Sequence, residues 1–169
     1  MKDDAKTHLL QILTAYDARL AETERREAAS RAAKAAFPVL FAALKTEMIL
    51  PVLGELAEVL NGSGHAASAR EQEESSSTAS GVTSASVALR VIPKPFADLA
   101  TDNKKSFFEV TFTANRTDQK VVVSSTNTVI NSGASVGKRG EYEIGALTAD
   151  VVVDQVLRAL EQAFAGAGR

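Results

Sequence analysis

The sequence contains no cysteine and no tryptophan, and aromatic residues make up only 5% of its 169 positions. The absence of cysteine excludes disulfide bonds, thiolate metal sites and cysteine nucleophiles. Hydrophobic residues nevertheless account for 45% of the chain, and many of them are alanines. A core rich in alanine predicts helices that approach each other closely and bury less area per residue.

The sequence also contains few histidines, and its net charge is small. The two histidines, His8 and His65, are far apart in the sequence and show none of the ligand spacings of a zinc site. We therefore predict no metal site and no cofactor. Lys and Arg number 19 against 21 Asp and Glu, for a net charge of −2, whereas nucleic-acid-binding proteins usually carry a basic excess. A nucleic-acid partner is not expected.

The sequence has no long uninterrupted hydrophobic run. Its most apolar stretch contains Lys45, Glu47 and Pro51, and these come too soon for a transmembrane helix, which needs about 20 apolar residues. The first ten residues, MKDDAKTHLL, include two aspartates and lack the apolar centre of a secretory signal. These features predict a cytoplasmic protein that does not contact the membrane.

The most regular pattern lies in residues 37–62. Large apolar residues recur there at steps of three and four, which places them along one side of an α-helix. Seven of them form the candidate interaction face: Phe37, Phe41, Leu44, Met48, Leu53, Leu56 and Leu60. Breaks are predicted near Pro38 and Pro51, because proline lacks an N–H and crowds the preceding turn. Asn61-Gly62 is the predicted C-cap.

A second amphipathic pattern covers residues 5–36. Its stripe of Leu9, Leu13, Tyr16 and Leu20 passes into alanines beyond Glu24. Residues 1–62 are therefore predicted to form a long, bent helical arm of two helices. Because so large an apolar surface must be covered, the arm either associates with a second copy or another protein, or folds into an intramolecular helical hairpin.

Composition changes sharply over residues 63–86, which contain eight serines together with Gly, Ala and Glu. Such a segment has little to bury, and this predicts a flexible linker. A weak alternation over His65–Glu71 leaves an edge strand as the alternative.

From residue 87 onward, apolar residues recur at every second position and no longer at steps of three and four. Phe108, Val110 and Phe112 alternate with polar residues, the pattern of a strand with one buried face. Similar runs predict a small antiparallel sheet of about four strands. Thr148 is a predicted N-cap for a C-terminal covering helix. Helices and strands are segregated along the chain, so the predicted fold class is α+β, with residues 87–169 as one globular unit with part of the arm.

The string Gly133-Ala-Ser-Val-Gly137-Lys138-Arg139 partly matches a phosphate-binding loop. In such a loop four residues separate the glycines, and Ser or Thr follows the lysine. Here the spacing is one residue short and Arg139 replaces the hydroxyl. We therefore predict a glycine-rich hairpin loop over residues 131–140. Its basic tip, Lys138 and Arg139, is a second candidate site for contact with an acidic partner.

Gly133-Ala-Ser-Val-Gly137 has the spacing of a Gly-x-Ser-x-Gly nucleophile elbow. Such an elbow requires a strand before the serine and a helix after it, whereas no long helical pattern follows Gly137, so the match does not predict a catalytic serine. The first hypothesis is therefore a non-enzymatic, oligomeric interaction or adaptor protein, a homodimer or a binder of another protein through its helical arm. The alternative is a binding module for a small apolar ligand held between the sheet and the C-terminal helix. An enzyme is not expected.

Overall fold

The structure is a computed structural model that describes residues 3–77, 81–94, 106–129 and 133–166. The chain divides into two compact units, Met1–Phe37 and Pro38–Arg169. Its elements follow the predicted α+β order, with helices first, an antiparallel sheet next and a helix last. The predicted fold class is confirmed.

The amino-terminal helix continues through Pro38. Helix α1 spans Asp3–Leu44, a π-helical turn spans Lys45–Ile49, and helix α2 spans Leu50–Gly62. The predicted break near Pro38 is wrong. A proline removes one helical hydrogen bond, and burial of Phe41 in the following turn helps to hold the helix together.

At Pro51 the helix changes its winding but does not end. The Leu50 N–H donates to the carbonyl of Lys45, five residues earlier, which closes the wide π-helical turn. Pro51 follows at the start of α2, where a missing N–H is best tolerated. The predicted break is therefore a local π-helical turn, which disturbs a helix without terminating it.

Helix α2 ends two residues before the glycine that turns the chain. Gly64 has a φ of 86°, so the left-handed residue is Gly64 and the predicted C-cap at Asn61-Gly62 is wrong. Asn61 instead leads the chain into the sheet. Its amide group donates to the Ala67 carbonyl at 3.0 Å and accepts from the Ala67 N–H at 2.7 Å.

Seven strands lie in the described part of the chain: β1 Ala66–Gln72, β2 Ser75–Ser77, β3 Gly81–Thr83, β4 Ser86–Ile92, β5 Phe107–Asn115, β6 Lys120–Val129 and β7 Gly133–Glu143. Five of them form an antiparallel sheet in the order β1-β4-β5-β6-β7, and β2 pairs with β3. The sheet is thus one strand larger than predicted.

Residues 63–86 supply the additional strand. Within them β1 pairs along its whole length with β4 and forms one edge of the sheet. The predicted flexible linker is therefore wrong for the described residues of this segment, and the alternative of an edge strand is confirmed. Although the apolar alternation in β1 is weak, the segment forms a strand because its backbone hydrogen bonds to β4 stabilise it.

The predicted glycine-rich loop is also largely a strand. Residues 133–140 belong to β7 and pair with β6, whereas residues 131 and 132 lie outside the described residues. Lys138 and Arg139 therefore lie on an edge strand and not at a loop tip. Glycine disfavours strands only weakly, and pairing with β6 overrides that preference here.

The core lies on one face of the sheet. Alternate residues of β4 and β5 are fully buried there against side chains from the helices. These core residues are Val87, Leu89, Val91, Phe108, Val110 and Phe112 from the strands, Phe41, Ile49 and Leu53 from the long helix, and Val152, Val156 and Leu160 from helix α3, Ala149–Gly166. The predicted N-cap of α3 is confirmed, because the Val151 N–H donates to Thr148 Oγ1 at 3.4 Å.

One stretch of helix, Asp4–Gly62, contains an 18-residue window with a mean hydropathy of 1.6, long and apolar enough to cross a membrane. Of that window 28% is buried. Length and composition alone are weak evidence for a membrane span, because a core helix of a soluble protein meets the same criteria.

Candidate functional site

The seven residues of the predicted interaction face are largely used inside the chain. Phe37, Phe41 and Leu53 are buried, with exposures of 3%, 1% and 0%. The other four, Leu44, Met48, Leu56 and Leu60, are half-buried. Their helical spacing therefore corresponds to a side of the helix that is turned largely toward the core.

Among the described residues, six large exposed apolar side chains lie close together near the start of α1, and seven others are spread over the rest of the chain. We call these six the apolar stripe: Leu9, Leu10, Ile12, Leu13, Tyr16 and Leu20. Each is between 47% and 60% exposed. All described residues of the unit Met1–Phe37 lie in helix α1, so among them there is no second element against which the stripe could be buried.

The stripe occupies a short part of one helical face. Leu9, Leu13, Tyr16 and Leu20 follow one another at steps of four, three and four residues, which aligns them on the helix surface. They extend along about 17 Å of helix, at 1.5 Å per residue. At the next steps of four, three and four, the same face carries Glu24, Glu27 and Arg31. The large apolar residues therefore end at Leu20, and the alanines that were predicted to continue the stripe lie beside these charged residues and not in line with them.

Ion pairs within α1 support the helix beyond the stripe. Glu22 bonds to Arg26 at 2.9 Å, and Glu27 lies 3.8 Å from Arg31, both at a spacing of four residues. Exposed pairs of this kind contribute only about 0.3–0.5 kcal/mol each. They favour helical backbone over residues 22–31, but they do not cover the stripe.

The two residues of the predicted basic loop have different environments. Lys138 is exposed and bonds to Glu141, and this hydrogen bond lowers the pKa of the Glu141 carboxyl group. Arg139 is half-buried and bonds to neutral groups, with Nε donating to Ser125 Oγ at 2.8 Å and Nη2 to Gln162 Oε1 at 2.6 Å. The two neighbouring residues therefore do not form one basic surface, because Lys138 is paired with a carboxylate and Arg139 is bonded to neutral groups.

Arg139 lines a cleft between α3 and strands β6 and β7. The cleft consists of two adjoining cavities of about 280 and 330 Å³. We call it the Arg139 cleft. Its position, between the sheet and the C-terminal helix, is the one predicted for a small apolar ligand. Its lining is more polar than that prediction assumed: Ser125, Asn127, Ser135, Arg139 and Gln162 lie beside Phe108, Val136, Ala159 and Ala163.

A second charged cluster lies where the π-helical turn meets β1. Lys45 is 3% exposed and forms ion pairs with Glu71, at 3.3 Å, and with Glu73. A cavity of about 310 Å³ adjoins Lys45 and Glu73. Both carboxylates neutralise the one lysine, which makes the cluster a structural ion pair.

The described residues contain no group of three or more His, Asp or Glu side chains that could hold a metal ion. His65 has a structural environment, since its ring lies 5.2 Å from that of Phe164 and its Nδ1 accepts a hydrogen bond from the Lys94 N–H.

No family model, curated protein sequence or solved structure matches this chain. The functional interpretation therefore depends on the apolar stripe and the Arg139 cleft themselves.

Proposed function

We propose that this is a non-enzymatic interaction protein that associates with a second copy of itself through helix α1. The observation that carries the proposal is the exposure of six large apolar side chains on a unit whose described residues all lie in one helix. Isolated helices are marginally stable in water, and most helical stability in proteins comes from packing an apolar face. An unpacked stripe of this kind is typical of a helix that pairs with another.

The length of the stripe favours antiparallel pairing. When Leu9 lies opposite Leu20 of the second copy, Leu13 lies opposite Tyr16, and the two stripes overlap completely. The charged continuation of the face, with Glu27 and Arg31, then projects beyond the overlap. In this arrangement the large apolar residues of each stripe pack only against large apolar residues of the other.

Charge favours the same arrangement. In the antiparallel register Lys6 comes beside Glu24 of the second copy, at the edge of the stripe, where opposite charges set helix orientation in coiled coils. A parallel, in-register pair would place Glu27 against Glu27 and Arg31 against Arg31, and like charges at such positions are destabilising. The surface is therefore self-complementary, as the interface of a twofold dimer requires.

The test is the solution mass of the full chain by light scattering, combined with two charge substitutions. Leu13→Glu introduces a carboxylate at the centre of the stripe. Ala18→Glu introduces the same charge on the opposite side of α1, at a position that is also exposed. We expect the parent chain and the Ala18→Glu chain to be dimers, and the Leu13→Glu chain to be a monomer.

A parent chain that is monomeric at all concentrations would overturn the proposal, and would mean that the stripe is buried against its own chain. Equal dissociation of the Leu13→Glu and Ala18→Glu chains would also overturn it, because the effect would then depend on charge and not on the stripe. Circular dichroism of both variants checks that α1 remains helical.

A further inference from the structure

The Arg139 cleft is a second candidate site, which is independent of helix α1. Its central residue is positioned by an irregularity in the sheet. Val123 pairs with Gly140 and Ser124 pairs with Lys138, so Arg139 has no partner on β6 and forms a β-bulge. Bulges redirect side chains and are frequent beside functional sites. Here the bulge directs Arg139 toward Ser125 and Gln162.

Arg139 differs from the neighbouring cations in having no carboxylate partner. Lys138 is paired with Glu141, and Arg158 with Asp154 at 3.0 Å. No ion pair involves Arg139 among the residues that the structure describes. Burial lowers the pKa of its guanidinium group, yet an arginine stays protonated at neutral pH. A half-buried positive charge that has only neutral partners calls for a complementary charge from outside the chain.

Donor capacity remains for such a ligand. A guanidinium group has five N–H donors, and the bonds to Ser125 and Gln162 use two of them. The remaining three make no hydrogen bond to a described residue. Because the occupied donors hold the group on β6 and α3, the guanidinium is oriented before a ligand arrives, and this reduces the entropic cost of binding.

The rest of the lining defines the class of ligand. Asn127 and Ser135 offer further hydrogen-bonding groups, while Phe108, Ala159 and Ala163 form an apolar part. A single uncompensated positive charge matches a single negative charge, and the planar fork of arginine matches a carboxylate. We infer that the Arg139 cleft binds a small monocarboxylate with a short apolar body, held by its carboxylate on Arg139.

The inference is tested by titrating the full chain with sodium benzoate and following amide shifts by NMR. Benzamide, a neutral compound of the same shape, is the matched ligand control, and inorganic phosphate tests whether any anion suffices. We expect benzoate to give saturable shifts at residues lining the cleft, such as Ser125, Gly137 and Gln162, and the two controls to give none there.

Three variants locate the interaction. Arg139→Gln should weaken benzoate binding by roughly tenfold to a hundredfold, since it removes a charged hydrogen-bonding group. Arg158→Gln, at a paired cation on the rim of the adjoining cavity, should leave the affinity within about twofold of the parent. Gly137→Leu should abolish binding with Arg139 intact, because a Cβ at Gly137 meets nothing within 4 Å and a larger side chain can fill the cleft.

Shifts that are equal for benzoate and benzamide would overturn the inference, as would equal affinity of the parent and Arg139→Gln chains. Binding of phosphate as tight as that of benzoate would overturn the assignment to carboxylates. If the Arg139→Gln chain fails to fold, the Gly137→Leu chain decides, and unchanged benzoate shifts in it would exclude the cleft.

Discussion

The ammonium group of Lys45 lies 3.3 Å from the carboxylate of Glu71, and this contact joins the π-helical turn to the edge strand β1. Burial by itself disfavours the charged form of Lys45, but hydrogen bonds to Glu73 and Glu71 outweigh it. The pKa of Lys45 is therefore raised above its ordinary value of 10.5. The lysine remains charged inside the structure because two carboxylates reach it from β1 and the residues that follow.

Removing the two carboxylates should cost more stability than removing the lysine. Glu71→Gln combined with Glu73→Gln leaves a buried ammonium without a charged partner, and we expect the free energy of unfolding to fall by about 1–3 kcal/mol. Lys45→Met leaves only exposed carboxylates, which water solvates, so we expect a change of less than about 1 kcal/mol. Urea denaturation measures both. Greater loss in Lys45→Met than in the double variant would contradict this account.

The Lys45 cluster should also affect stability at high pH. A basic group whose pKa is raised in the folded state contributes fully below its unfolded pKa and loses that contribution as pH rises through the folded one. The difference in unfolding free energy between the parent and Lys45→Met chains should therefore be constant from pH 7 to about pH 9 and should shift against the parent above about pH 10.5. A difference that changes between pH 7 and pH 9 would exclude this linkage.

Two glycines near the end of α2 should respond to alanine in opposite ways. Gly64 has a φ of 86°, so Gly64→Ala should lower the free energy of unfolding by about 1–2 kcal/mol. Gly62 lies in the last turn of α2, and a Cβ there meets nothing within 4 Å. Gly62→Ala should be neutral or stabilising by up to about 1 kcal/mol. Thermal denaturation compares them, and equal effects would argue against Gly64 as the turning residue.

A hydrogen bond between α3 and β7 gives a further prediction. Gln155 is 7% exposed, and its Nε2 donates to the Tyr142 hydroxyl at 2.8 Å. Tyr142→Phe leaves this amide without its partner, so we expect a loss of about 1–3 kcal/mol in unfolding free energy. Tyr16→Phe, the same change at a residue 60% exposed, should cost less than about 0.5 kcal/mol. Equal losses in the two variants would show that the hydrogen bond does not stabilise the fold.

Much of the fold follows from periodicity, because a regular pattern reports which face of an element is buried. The alternation of Phe108, Val110 and Phe112 predicted β5, and all three side chains are buried. The same logic could not distinguish a core face from a docking face in residues 37–62. Both require apolar residues at helical spacing, and only the tertiary fold decides which side is covered.

The remaining features depend on contacts between distant residues. In the sequence Lys45 looks like an exposed lysine within an apolar helix, and only the tertiary fold places Glu71 and Glu73 beside it. The bulge at Arg139 is set by how β7 pairs with β6, and local composition instead suggested a loop. Strand β1, which has only a weak alternation of its own, forms because β4 supplies its hydrogen bonds. Local sequence carries little information about these three features.

The central claim, that α1 pairs with α1 of a second copy, is tested most directly by disulfide cross-linking, since the chain has no cysteine of its own. Chains carrying Leu9→Cys and Leu20→Cys are oxidised separately and as an equimolar mixture. Antiparallel pairing predicts a covalent dimer in the mixture and little in either variant alone. Cross-linking of Leu9→Cys with itself would contradict the antiparallel arrangement, and no cross-linking in any sample would contradict pairing through the apolar stripe.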